Sequence, residues 1–182
     1  LLLISILYYY IIYFLWVYFF IYFILLYYKM VRIIYNTDDA DKTEMEILDY
    51  LNNDLYKDNK LKANKHFDLF DFENEKTKVE LKTRSCNHNS YPTTMMNMSK
   101  INYAVKNKEK YKFIFYFLFK DGLYKWDFKE DNYKIEIGGR FDRGDANDRK
   151  LYSYIPVNDL ILVDEKCKSN LEPRKRKKKD TK

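Results

Sequence analysis

Three residues in the middle of the chain have the types and the spacing that could hold a divalent cation and act on water. Glu80 and Lys82 are two residues apart in Thr77–Thr83, a run typical of a β-strand, so both side chains project from one face. Asp68 lies in the preceding strand-like run Phe67–Phe72, and the short connection between the runs predicts an antiparallel hairpin. Two carboxylates that meet on one sheet face repel each other unless a cation or a proton lies between them.

Mg²⁺ is the natural cation for such a pair, because it prefers oxygen ligands and keeps several of its waters. Lys82 could then hold or deprotonate a water, or stabilise negative charge at a scissile phosphate. A Glu-x-Lys pair on a single strand most often belongs to an ordinary solvent-exposed face. The prediction of a metal site therefore depends on the carboxylate in the preceding run. Together the three groups predict a metal site suited to phosphodiester hydrolysis.

The preceding run offers two carboxylates, Asp68 and Asp71. They are three residues apart, so in a regular strand they point to opposite faces and cannot both lie beside Glu80. The pairing register decides between them. Pairing Asp71 with Glu80 breaks up the apolar face of the hairpin. Pairing Asp68 with Glu80 instead gathers four apolar side chains on the other face: Phe67, Leu69, Val79 and Leu81. We therefore expect Asp68 to be the partner of Glu80 and Asp71 to lie at an edge.

A helix is predicted before this hairpin. Apolar residues at helical spacing indicate that it covers Thr43–Tyr56, with Ile47, Leu48, Leu51 and Leu55 on one stripe. Asp41 with Glu44, and Thr43 with Glu46, both fit the capping pattern of a helix start. A second, weaker helix is predicted over Ser99–Lys110, after a polar loop.

The remaining elements are predicted strands. Phe113–Phe119 is apolar without alternation, as expected for a central strand that is covered on both faces. Asp121 and Gly122 form a turn into Leu123–Phe128, and further short strands are predicted at Tyr133–Ile137 and Leu151–Ile155. This order of helices and strands predicts an α/β domain with a mixed central sheet flanked by helices.

The string Asp68-x11-Glu80-Leu81-Lys82, preceded by a helix that carries Glu44, resembles the PD-(D/E)XK, or restriction-endonuclease-like, nucleases. The resemblance implies a core of one helix, three strands, a helix and a strand around a mixed sheet. It also implies a Mg²⁺-dependent nuclease, with Mn²⁺ as an alternative ion and DNA as the substrate. The chain departs from the pattern in having Phe67 where these enzymes carry Pro.

The resemblance also implies a role for each site residue. Asp68 and Glu80 would bind Mg²⁺ together with the backbone carbonyl of Leu81, and Lys82 would assist the attacking water. Glu44 precedes apolar positions by three, four and seven residues, as an additional metal-binding Glu does in many members. Comparable nucleases also present a polar side chain from the inserted helix, where this chain has Lys100 one turn from Tyr103. A surface Lys beside a packing Tyr is the alternative.

Several basic residues are candidates for contacts with a nucleic-acid backbone. An Arg can donate two hydrogen bonds to a phosphate, and glycines mark tight loops around two of the candidates, although ordinary loop chemistry is the alternative. The motifs that begin at Glu80, at Tyr91-Pro92 and at Gly139-Arg140 are also similar to nuclease-like proteins of large DNA viruses. The predicted nucleic-acid contacts are Arg84, Lys100, Arg140, Arg143, Arg174, Lys175 and Arg176.

Charge divides the chain of 182 residues into an apolar segment 1–28, a body 29–165 and a basic tail 166–182. The net charge of +6 comes from the tail, which has nine Lys and Arg against two acidic residues. A histone-like protein, with basic charge over its whole surface, is therefore excluded. The tail is expected to be disordered and to act as a nuclear-localisation signal, a phosphate tether or a solvated end. Two Cys without CxxC spacing exclude a disulfide framework and a zinc ribbon.

Residues 1–28 contain no charge and are long enough for a transmembrane helix. Lys29 and Arg32 follow the segment, so the positive-inside rule would leave the body in the cytosol. Eight scattered tyrosines and a first Met at Met30 instead indicate upstream sequence joined to a gene that starts there. Both interpretations stay open. For the body, a cytoplasmic or nuclear location is expected, with a membrane anchor if residues 1–28 are genuine. The rivals to a nuclease are a non-catalytic nucleic-acid-binding module of the same fold and a small membrane-anchored protein.

Overall fold

The computed structural model describes residues 16–22, 38–65, 68–139 and 149–171. The predictions for Arg140, Arg143 and the tail residues Arg174, Lys175 and Arg176 lie outside the described residues. The chain divides into two units at residues 40 and 41. In the first unit, residues 16–22 are helical and are numbered α1, with the rings of Trp16 and Phe20 stacked 6.0 Å apart. Within the described ranges, every helix is too short or too polar to cross a bilayer.

Two longer helices follow, α2 (Asp38–Asp54) and α3 (Met98–Asn107). The stripe of α2 is confirmed at Ile47, Leu48 and Leu51, which are buried, but Leu55 lies beyond the helix and is half exposed. The predicted start at Thr43 was wrong, because the backbone is already helical at Asp38 and both capping patterns lie inside the helix. Helix α3 is capped by Asn97, whose side chain accepts a hydrogen bond from the amide of Ser99 at 2.9 Å.

The larger of two sheets has six strands in the order β1-β2-β3-β5-β6-β9. Strands β3 and β5 are parallel, whereas the other neighbouring pairs are antiparallel. The mixed sheet predicted from the sequence is therefore confirmed, and α3 lies in the crossover between the parallel strands. The six strands are β1 (Lys62–Ala63), β2 (Phe72–Glu73), β3 (Thr77–Thr83), β5 (Lys112–Phe119), β6 (Gly122–Asp127) and β9 (Ile161–Asp164).

A second, antiparallel sheet has the strand order β4-β8-β7. Its strands are β4 (Thr93–Asn97), β7 (Lys134–Gly138) and β8 (Lys150–Pro156). The sequence predicted β7 and β8 but missed β1, β4 and β9, because all three are short and β4 carries polar residues typical of a loop. Strand β4 directly precedes α3 and so sets where that helix begins.

Two hydrophobic cores lie on opposite faces of β5, as predicted for a strand covered on both sides. On one face Phe113, Phe115 and Phe117 pack with residues of α3, including Ile101 and Ala104. On the other face, Ile114, Tyr116 and Leu118 pack with the buried stripe of α2. Each of these strand residues is less than 5% exposed. Because β3 runs beside β5, its two faces look toward these same two cores.

Candidate active site

Glu80 lies at the centre of β3 and is fully buried, with 0% of its surface exposed. Its strand neighbours Val79 and Leu81 point into the core beneath α2. Alternation therefore turns Glu80 and Lys82 toward the opposite face, beside Phe115 of β5 and under α3. The prediction that Glu80 and Lys82 share one face is confirmed, and they form an ion pair.

Two lysines face the carboxylate of Glu80. The ammonium of Lys82 is paired with Oε1, and that of Lys100, which comes from α3, lies 2.6 Å from Oε2. The Lys100 side chain is 15% exposed, and its ammonium also lies 5.5 Å from the ring centre of Phe70. A buried carboxylate requires such compensation, because removing a charge from water is costly. Lys100, predicted to contact nucleic acid, thus holds Glu80.

One oxygen of Glu80 is compensated by an ion pair rather than by an aligned hydrogen bond. Oε1 is close to Lys82 but has no aligned hydrogen-bond donor among the described residues. The Lys82 ammonium instead donates to the carbonyl of Leu81 at 3.3 Å. The charge of the Lys82 ammonium compensates this buried oxygen. Lys82 remains 34% exposed, so this edge of the site opens to solvent.

Asp71, and not Asp68, is the carboxylate beside Glu80. Phe72 pairs with Val79, which places the preceding residue, Asp71, next to Glu80. The carboxylate of Asp71 accepts a hydrogen bond from the amide of Leu81 at 2.7 Å. Asp68 is exposed and accepts a hydrogen bond from the amide of Lys65 at 2.9 Å. The predicted register between Asp68 and Glu80 was wrong.

The register failed because the run before β3 is not a regular strand. Only Phe72 and Glu73 belong to β2, whereas residues 68–71 form a series of bends. Phe70 packs into the core beneath α3, and Phe72 packs into the core beneath α2. Two residues that are two apart thus point to opposite sides of the sheet, which strict alternation does not allow. The bends turn Asp71 toward Glu80 while both Phe side chains remain buried.

The acidic and basic groups of the site change each other's pKa. Burial raises the pKa of Asp71, and the negative charge of Glu80 raises it further. Lys82, the Leu81 amide and Lys100 oppose that rise. For Lys82, burial lowers the pKa, but the carboxylates of Glu80 and Asp71 outweigh it, so that the pKa is raised. The ammonium therefore stays protonated at neutral pH.

Glu44 joins this group from α2. Burial raises the pKa of its carboxyl to about 7, and the charge of Asp71 adds to the rise while Lys82 opposes it. The pKa of Glu44 therefore responds to the charges of the site, and its place among the metal ligands stays a prediction. Its neighbours on the helix, Ile47 and Leu48, are buried beneath the sheet. The helix thus presents one carboxyl group along the edge of its apolar stripe.

The oxygen atoms of this site have the chemistry that a hard divalent cation prefers. Asp71 and Glu80 are adjacent carboxylates, and the next residue after Glu80 supplies the Leu81 carbonyl, which accepts a hydrogen bond from Lys82. Mg²⁺ is commonly held by one or two carboxylates together with waters. Nowhere in the described part of the chain do three His, Cys, Asp or Glu side chains gather at ligand distance. The available donor set is therefore a carboxylate pair with a carbonyl.

Arg84, a predicted nucleic-acid contact, is partly buried and bonded within the fold. Its guanidinium donates to the hydroxyl of Thr94 at 3.1 Å and to the carbonyl of Met95. It also lies 5.7 Å from the ring centre of Phe117. Arg84 thus connects β3 to β4 of the second sheet. The sequence had no periodic signal for β4 and therefore could not indicate this contact.

Comparison with known proteins agrees with this arrangement. Residues 30–163 match the family described as "Phage putative PDDEXK endonuclease". No curated protein and no solved structure gives a significant match to the chain. The matched region contains α2, the β3 strand with Glu80 and Lys82, and α3 with Lys100. A mixed α/β sheet that carries an acidic pair beside a lysine, together with a family match over most of the chain, shows that this protein belongs to the phage PDDEXK endonuclease family of the PD-(D/E)XK nuclease superfamily.

Proposed function

We propose that this protein is a Mg²⁺-dependent endonuclease that hydrolyses phosphodiester bonds in DNA. The observation that carries the proposal is the side-by-side placement of Asp71 and Glu80 on adjoining segments, with the Leu81 peptide between them. Asp71 takes the role that the sequence assigned to Asp68. The family match supports nuclease chemistry, and the choice of Mg²⁺ and DNA is our inference.

Asp71, Glu80 and the Leu81 carbonyl are the proposed ligands of the ion, with Glu44 able to join from α2. A bound divalent ion supplies Lewis-acid stabilisation of the charge that develops on the phosphoryl oxygens. Mn²⁺ prefers the same oxygen ligands and is the alternative ion. The environment of Glu80 supports a cation at this place, because the buried carboxylate already attracts two ammonium cations, those of Lys82 and Lys100.

Lys82 is proposed to act as a cation and a hydrogen-bond donor. Its raised pKa keeps the ammonium charged, so it can orient the attacking water or stabilise the phosphoryl oxygens. Lys100 is a positioning residue, since it holds Oε2 of Glu80 at 2.6 Å. Glu44, with a pKa of about 7, can exchange a proton near neutral pH. The proposal thus assigns both a fixed cation and a titrating carboxyl to the surroundings of the ligand pair.

The test is cleavage of supercoiled plasmid DNA with Mg²⁺, Mn²⁺ or EDTA. We expect nicking with Mg²⁺ that EDTA abolishes and that Lys82→Met reduces by at least about a hundredfold, the range seen when one electrostatic group is removed from an active site. Lys125→Met is the matched control, because Lys125 is also a partly exposed strand lysine paired with a carboxylate. Equal cleavage by wild type and Lys82→Met would refute the role of Lys82.

A non-catalytic DNA-binding module is the second candidate, and one observation favours it. Lys82 and Lys100 already neutralise Glu80, so the carboxylate has ionic partners before any metal arrives. This candidate predicts DNA binding that weakens as salt concentration rises, with no cleavage under any divalent metal. It also predicts that Mg²⁺ leaves the stability of the protein unchanged. Metal-dependent nicking by the wild-type protein would exclude it.

A further inference from the structure

An open cleft of about 590 Å³ lies at the end of the sheet where β3 and β5 begin. The parallel pairing of Thr77 with Lys112 brings together the two loops that lead into these strands. The amide of Lys112 donates to the carbonyl of Lys76 at 2.8 Å, which fixes one loop against the other. The active-site residues do not line this cleft, so it is a separate feature of the sheet edge.

Lysines from two segments surround the cleft. Lys76 precedes β3, Lys108 and Lys110 precede β5, and Lys112 is the first residue of β5. Two acidic residues, Glu109 and Asp127, also line it, so basic groups are in excess. The lining is completed by three aromatic residues that form its floor: Tyr111, Phe113 and Phe128.

Two of the lysines are free to take an external anion. Lys108 is paired with Glu130, and Lys112 lies 3.7 Å from Asp127. Lys76 and Lys110 are exposed and have no carboxylate partner within the described ranges. The ammonium of Lys110 lies 4.9 Å from the ring centre of Tyr111, which keeps it at the mouth of the cleft.

The cleft lies on the same side of the sheet as the candidate active site. Phe113 on its floor pairs with Lys78, and Phe115, two residues along β5, pairs with Glu80. Lys76 precedes Glu80 by four residues, which corresponds to about 13 Å along an extended strand. Successive phosphates of one duplex strand advance about 3.4 Å along the helix axis, so this separation spans about four nucleotides.

We infer that this cleft is a second binding site for the phosphodiester backbone of duplex DNA, with Lys76 and Lys110 as the contacting residues. The inference rests on the proposed function, since it assigns the cleft to the DNA that flanks the scissile phosphate. Lysine ammonium groups act there as point charges that tolerate any base sequence. The cleft therefore increases the affinity for DNA and fixes the position of the protein on the duplex, without adding a preference for base sequence.

The test measures binding to a fluorescent duplex of about 30 base pairs by anisotropy, in EDTA, between about 50 and 200 mM salt. A plot of log affinity against log salt concentration has a negative slope. In the full-length double variant Lys76→Gln/Lys110→Gln, this slope should become less steep by about 0.9 for each lost contact. Affinity at about 100 mM salt should then fall by up to roughly 60-fold. The variant Lys76→Arg/Lys110→Arg should keep the wild-type slope.

The matched control is Lys57→Gln/Lys62→Gln, which removes the same charge from two exposed lysines that do not line the cleft. Equal slopes and affinities in the two Gln variants would overturn the inference, as would a wild-type protein that does not bind the duplex.

Plasmid cleavage with Mg²⁺ is scored separately. Cleavage by wild type with equal slopes refutes the cleft alone, whereas a reduced slope without cleavage supports the cleft and refutes the proposed nuclease.

Discussion

Asp71 performs two tasks that substitution can separate. Its carboxylate accepts the hydrogen bond from the Leu81 amide at 2.7 Å, and it supplies a negative charge beside Glu80. Asp71→Asn keeps an acceptor oxygen but removes the charge. Asp71→Ala removes both, which leaves the amide of a residue that is only 3% exposed without its partner. The two variants should therefore differ in stability but agree in activity.

The expected magnitudes follow from these contacts. A buried donor that loses its acceptor costs about 1–3 kcal/mol, so Asp71→Ala should lower the free energy of unfolding by about that amount. Asp71→Asn should leave the free energy of unfolding unchanged or raise it, since it relieves the repulsion from Glu80 that raises the pKa of Asp71. Urea denaturation in EDTA measures both values. In plasmid nicking with Mg²⁺, both variants should lose at least about a hundredfold in rate.

Asp68→Asn is the matched control, because Asp68 is the other carboxylate of the same segment. Its side chain is exposed and bonds only the amide of Lys65 in a local turn. We expect wild-type cleavage and a change in unfolding free energy below about 1 kcal/mol, as for most exposed substitutions. Wild-type nicking by Asp71→Asn, or an equal loss in Asp68→Asn, would refute the assignment of Asp71. Equal stability of Asp71→Ala and Asp71→Asn would refute the role given to the Leu81 hydrogen bond.

Three further predictions concern the neighbours of this carboxylate. The pKa of Glu44 rises from 4.5 to about 7 on folding, so the folded state holds this proton more tightly and loses stability as pH rises through that window. Glu44→Gln should thus be more stable than wild type by about 1–2 kcal/mol at pH about 8 in EDTA. This is less than the full pKa shift implies, because the group is only half buried. Near pH 4 the variant and the wild type should be equally stable. Lys100→Met should cost about 3 kcal/mol in urea denaturation, because Oε2 of buried Glu80 loses the ammonium that lies 2.6 Å from it while Oε1 keeps Lys82. Mg²⁺ at about 100 times its dissociation constant should stabilise wild type by about 2.7 kcal/mol in a thermal-shift assay and Asp71→Asn far less.

Each of these predictions has a control on the same element. Glu46→Gln on α2 removes a carboxylate that is 63% exposed and should show no such pH dependence. Lys106→Met on α3 removes an exposed lysine and should change stability by less than about 0.5 kcal/mol. Asp68→Asn should keep the full response to Mg²⁺. A Glu44→Gln variant whose advantage is the same at both pH values would contradict the shifted pKa.

The sequence by itself determined those features that depend on local periodicity. Ile47, Leu48 and Leu51 recur at helical spacing, and they form the buried stripe of α2. The unbroken apolar run Phe113–Phe119 predicted a central strand, and β5 is covered on both faces. The shared face of Glu80 and Lys82 follows from the two-residue repeat of a strand. None of these predictions required knowledge of a distant partner.

Only the tertiary structure decided which groups meet Glu80. Asp71 reaches it because Phe70 and Phe72 are buried on opposite sides of the sheet, which requires bends where the sequence pattern indicated regular alternation. Lys100 reaches it because β4 and the parallel pairing of β3 with β5 fix the position of α3 above the strand. Periodicity describes one segment at a time, whereas register and crossover geometry depend on the simultaneous burial of several segments. The chemistry of the carboxylate pair was therefore visible in the sequence, but the identity of its second member was decided by packing.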